Sequence, residues 1–143
     1  MDIWIVKIIF SLFLTAAVCQ DLRKKEISIY VLVLFGCMAA AIRVWNGGLV
    51  EGGCGAVIGM LLLLAGKATG GGIGYGDGWF FVVSGIFLGF WKNFCLLSYG
   101  AFLCGVICMA LFLWGMKGGA DVRKRAVPFL PFLAPVWVWM MWL

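Results

Sequence analysis

The sequence contains no histidine. That absence removes a Ser-His-Asp triad, a Cys-His pair and the H-E-x-x-H zinc motif together, because each needs imidazole as base or ligand. Charge is scarce as well, at 12% of 143 residues, against 65% hydrophobic residues and a mean hydropathy of +1.12. A soluble domain of this length needs far more charge to solvate its surface. The six cysteines, Cys19, Cys37, Cys54, Cys95, Cys104 and Cys108, form no C-x-x-C pair. With no histidine to complete a zinc set, they read as small buried apolar residues that bind no metal and form no disulfide. No cofactor is expected. Ser11, Ser28, Ser84 and Ser98 sit in no G-x-S-x-G elbow, and a Ser-Lys dyad through Lys67 has no serine near its depth. If the chain is a hydrolase, its aspartates carry the chemistry.

What the chain does have is a series of apolar runs long enough to cross a bilayer. They predict an all-α membrane protein, a polytopic bundle of about six transmembrane helices forming a single domain. The expected spans are 3–20, 27–44, 49–66, 78–91, 94–116 and a last one ending at Leu143, whose first half Pro131 and Pro135 bend or shorten. The first reads as a retained helix and not a signal peptide, because Asp2 offsets Lys7 and no small residue precedes Cys19 at Val18. Trp45-Asn46-Gly47-Gly48 and Lys92-Asn93 read as turns. Gly52, Gly53, Gly55 and Gly59 let the third helix pack closely on a neighbour.

Basic residues give the orientation. Arg23, Lys24, Lys25, Lys67, Lys117, Arg123, Lys124 and Arg125 follow spans one, three and five, whereas only Lys7, Arg43 and Lys92 lie on the other side. The positive-inside rule then puts the first set in the cytoplasm and both termini outside, with Trp4, Trp45, Trp91 and Trp142 in an outer aromatic belt. The net charge of +5 is explained by topology and by attraction to anionic membrane lipid, with no nucleic-acid partner.

The chemistry concentrates in Gly70-Gly71-Gly72-Ile73-Gly74-Tyr75-Gly76-Asp77. An acid at a membrane boundary is a functional candidate, and glycines before it permit positive φ and close backbone approach. The predicted topology sets Asp21, in the polar loop after the first helix, on the same side as Asp77. Two carboxyls a few ångströms apart cannot both ionise. The anionic one can take a proton from water while the neutral one hydrogen-bonds a scissile carbonyl, with no metal and no covalent intermediate. An extended peptide lying against the glycines suits this arrangement. Each piece also has a plain reading by itself. Asp21 balances Arg23, Lys24 and Lys25, Asp77 is a helix N-cap, the glycines form a flexible turn, and Pro128 and Pro131 start a helix.

Taken together, these motifs resemble the prepilin peptidase (type IV leader peptidase) family. Gly74-Tyr75-Gly76-Asp77 matches the Gly-x-Gly-Asp signature of intramembrane aspartyl proteases. Asp21-Leu22-Arg23 before Ile27 is similar to the family's first catalytic motif, and Val127-Pro128-Phe129-Leu130-Pro131-Phe132-Leu133 to its C-terminal proline-phenylalanine motif. The resemblance implies an aspartic endopeptidase of the prokaryotic inner membrane that removes the leader from type IV pilin-like precursors. Asp21 and Asp77 would be catalytic, and Gly74, Tyr75, Gly76, Pro128 and Phe129 would line the active-site loops. Two departures concern substrate preference: Ser28 stands where a proline is usual, and Gly78-Trp79 follows Asp77 where many members have lysine. Only a few residues separate the first two helices, so the cytoplasmic methyltransferase part of larger members is not expected. The rival reading is a non-enzymatic membrane subunit for transport or pilus assembly, with Asp77 as an ion or substrate ligand near a broken helix.

Overall fold

The computed structural model describes residues 3–24, 27–70, 74–118 and 129–142. Among them are six α-helices and no strand: α1 (Ile3–Lys24), α2 (Ile29–Trp45), α3 (Leu49–Ala68), α4 (Tyr75–Leu88), α5 (Phe90–Gly118) and α6 (Leu133–Trp142), the last preceded by a 3-10 turn at Leu130–Phe132. The chain is a helical membrane protein. Helices α1, α3 and α5 are long and apolar enough to cross a bilayer, while α2, α4 and α6 are shorter, at 17, 14 and 10 residues. All three prolines fall after position 127, so nothing interrupts the first five helices. Pro131 enters the 3-10 turn and α6 is correspondingly brief, as the sequence leads one to expect.

Helix α4 is the centre of the bundle. Half of its residues are buried, and α1, α2, α3 and α5 all pack on it. Its contact with α3 is the most intimate. A Cβ at Gly55 would collide with the Gly85 carbonyl, and one at Gly85 with the Gly55 carbonyl, so neither position tolerates a side chain. Of the four glycines expected to permit this packing, Gly55 and Gly59 do so. Gly52 instead faces Arg43, and Gly53 faces open space. An aromatic cluster fills the other side of α4, where Phe13 of α1 stacks on Phe80 at 5.0 Å between ring centroids and Phe10 meets Phe87 and Trp137 edge-on.

Two local expectations need correcting. The turn expected at Lys92-Asn93 lies at Gly89, where φ is +77° and only glycine is unstrained. Asn93 belongs to α5 and is fully buried, with Nδ2 donating to the Gly55 and Phe81 carbonyls at 3.1 and 3.0 Å and Oδ1 accepting from Ser84 Oγ at 2.7 Å. It therefore ties α3, α4 and α5 together. The cysteines are not uniformly buried either, since Cys19, Cys37 and Cys54 are exposed. An apolar surface that lies in lipid has no need to turn a thiol inward.

Candidate active site

Asp21 does not lie in a loop. Helix α1 continues past it to Lys24, so the carboxyl projects from the last turns of a helix and is 8% exposed. Its Oδ2 has no hydrogen-bond partner among the described residues. Facing the carboxyl is the backbone N–H of Leu130, in the 3-10 turn ahead of α6. Leu130 itself is buried.

The chain between α1 and α2 folds back on this region. Gln20 Oε1 accepts the Ser28 amide at 2.8 Å, which fixes the connection beside Asp21. Ser28 has φ −64°, the value that proline would lock, yet it keeps an N–H that proline lacks and uses it in this bond. Ile27, one residue before, reaches the start of α4, where a Cβ on Gly76 would lie 3.6 Å from its side chain. The end of α1 and the beginning of α4 are thus drawn toward each other through Ile27.

Asp77 stands in the first turn of α4, with Gly74 as the N-cap in extended conformation at φ −62° and ψ 125°. The cap closes through Asp77 N–H and Gly78 N–H to the Gly74 carbonyl at 3.1 and 3.3 Å. Asp77 is therefore not the N-cap, although an acid in the first turn still complements the helix dipole. Its half-buried carboxyl lies within electrostatic reach of Asp21 and of Cys104 of α5. Tyr75 and Gly76 are helical and not part of a loop, and Tyr75 is exposed. Gly76 has neither positive φ nor a crowded Cβ site, so its backbone does not require glycine. Gly74 is the tighter position, since a Cβ there would come 3.2 Å from Asp77 Oδ2. Gly70 has φ +64°, while Gly71, Gly72 and Ile73 lie outside the described residues.

Of the proline motif, Pro128 lies outside the described residues. Phe129 is half-buried with its ring 6.2 Å from that of Phe81, and its carbonyl accepts the Phe132 amide at 3.1 Å. The segment 129–133 thereby bridges α1 and α4 above Asp21. Two participants escape sequence reading, the Leu130 amide and Gln20. A backbone donor has no signature in the sequence, whereas a glutamine directly before an intramembrane acid is a visible signal. Among the described residues, no group of three metal-ligating side chains forms around the two acids.

The arrangement offers two carboxyls contributed by different helices at one end of the bundle, one of them removed from water, with apolar walls and one backbone donor. Compared with curated proteins and with solved structures, the chain finds no match. Compared with models of protein families, residues 8–113 match the type IV leader peptidase family, an interval that includes both aspartates and stops short of the Leu130 turn. With most of its length covered by that match, the chain belongs to the type IV leader peptidase family.

Proposed function

We propose that the protein is an aspartic endopeptidase of the prokaryotic inner membrane that cleaves the leader from type IV pilin-like precursors, with Asp21 and Asp77 as the catalytic pair. The observation that carries this reading is the buried Asp21 carboxyl, with an oxygen lacking a partner, in electrostatic reach of a second acid 56 positions away. A carboxyl oxygen taken out of water with no partner among the described residues is costly, and such groups persist where their reactivity is used.

Two carboxyls in one site share one proton. The ionised member takes a proton from a water molecule while the protonated member hydrogen-bonds the scissile carbonyl oxygen. Hydroxide adds to the carbonyl carbon as that oxygen gains the second acid's proton, giving a neutral gem-diol. As the C–N bond breaks, the leaving nitrogen takes the proton that the first acid drew from water and one gem-diol hydroxyl gives its proton to the second acid, so the pair again holds one proton in its starting arrangement. The Leu130 amide lies beside the Asp21 carboxyl, and the apolar surroundings strengthen each of these hydrogen bonds. The eight-to-three distribution of basic residues favours a cytoplasmic position for this end of the bundle, which is where a precursor's leader would meet it.

The test is co-expression with pilin-like precursors, reading precursor size on a gel for the wild type, Asp21→Asn and Asp77→Asn. Cleavage by the wild type and by neither variant is expected; near-normal turnover by either variant would sink the assignment. Purified enzyme should show a bell-shaped pH dependence of kcat, with two apparent pKa values belonging to the pair. A profile with one ionisation would contradict the shared proton.

A further inference from the structure

At the end of the bundle opposite the aspartates, a cleft of about 1020 Å³ opens between the helices. That is at the upper limit of small-molecule sites, roughly 300–1,000 Å³. All six helices wall it, through Val6, Ile42, Val50, Phe87, Tyr99 and Trp137. Its rim is different in kind. Lys7, Arg43 and Lys92 stand there against one acid, Glu51.

Arg43 is already engaged. Its Nε and Nη2 donate to the Ile86 and Phe87 carbonyls at 2.7 and 3.0 Å, and its Nη1 pairs with Glu51 at 3.2 Å. The two lysines provide the remaining positive charge. Lys7 is held in place, with Nζ donating to the Met141 carbonyl at 3.3 Å and lying 5.0 Å from the Trp4 ring centroid. An ammonium has three donors, so this leaves further N–H groups for a ligand. Lys92 is exposed, beside the exposed Trp91. Tryptophan and lysine at a helix end mark headgroup depth.

A deep apolar cleft with a cationic rim matches an amphiphile with a negative head. A soluble anion would use the rim and leave the apolar walls unmatched, and a zwitterionic headgroup would bring its own cation up to the lysines. We propose that this cleft binds one anionic phospholipid, its phosphate at Lys7 and Lys92 and its acyl chains along the apolar walls. The site is independent of the aspartates, and its test needs no turnover.

The purified full chain in a non-ionic detergent would be titrated with dioleoylphosphatidylglycerol, dioleoylphosphatidylcholine or inorganic phosphate, and bound lipid counted by native mass spectrometry. One phosphatidylglycerol should bind about tenfold tighter than phosphatidylcholine, the order of magnitude that lysines at a membrane surface confer on anionic lipid. The double variant Lys7→Gln, Lys92→Gln should bring the two lipids to the same affinity. Cys54→Trp, which projects bulk into the cleft from an exposed position without touching a charge, should weaken both. Equal affinities in the wild type would overturn the proposal, as would a preference surviving in the double variant. So would unchanged binding to Cys54→Trp, or release of the lipid by millimolar phosphate.

Discussion

The two ends of the bundle treat an ionic side chain in opposite ways. Arg43, on α2, is largely buried, and its donors meet two backbone carbonyls and a carboxylate. Those carbonyls, of Ile86 and Phe87, belong to the last turn of α4, where a helix has no intrahelical partners left to offer. Arg43 therefore completes α4 just where Gly89 turns the chain into α5. At the other end, Asp21 is more deeply buried, yet one of its oxygens has no partner among the described residues. A buried charge whose bonds are all made holds a structure together. A buried acid with an open valence is the kind of group that chemistry uses.

The contrast breaks most sharply at Asp21. Asp21→Asn should lower precursor cleavage by about 10²–10⁴-fold, the range for a lost general acid or base. Its thermal unfolding midpoint in detergent should be no lower than the wild type's, because the substitution removes a buried acid whose Oδ2 has no partner among the described residues. A large fall in that midpoint would make Asp21 a structural residue. Arg43→Met should behave in reverse. Leaving the Ile86 and Phe87 carbonyls unpaired should cost about 2–4 kcal/mol in stability, measurable by denaturant unfolding in mixed micelles, while the folded fraction keeps its cleavage rate within a few-fold. Loss of activity without loss of stability would show that the two ends are coupled. Glu51→Gln refines the same end. Glu51 is 78% exposed, so the change should cost no more than about 1 kcal/mol. A larger loss would make the ion pair, and not the carbonyl bonds, the reason for Arg43.

The helices are legible in the sequence because lipid imposes one demand on every outward position, and a run of apolar residues satisfies it whichever way the helix is turned. That same uniformity hides the interior. Asn93 looks like a turn residue beside Lys92, but its side chain satisfies carbonyls from two other helices, an arrangement that depends on the Gly55–Gly85 approach. Arg43 counts correctly as a charge near a helix end, while nothing adjacent announces the carbonyls it binds 43 and 44 positions later. Asp21 and Asp77 stand out because acids are rare here. That Asp21 is helical is harder to see, since Arg23 and Lys24 resemble a loop yet belong to α1. Gly76 shows the reverse error. A glycine in a motif suggests a special backbone, and the helix it enters requires none.

The Leu130 turn over Asp21 also has a consequence for biosynthesis. Leu130 follows Asp21 by about 110 residues, so at 5–20 residues per second roughly 5–20 s separate their synthesis. Throughout that interval α1 is already made while its acid lacks the Leu130 backbone N–H that later faces it. The nascent protein then has the helices that pack on α4 but not the segment that lies beside Asp21, which arrives after them. On the proposed assignment, truncation ahead of residue 129 should leave a membrane-inserted product that does not cleave precursors.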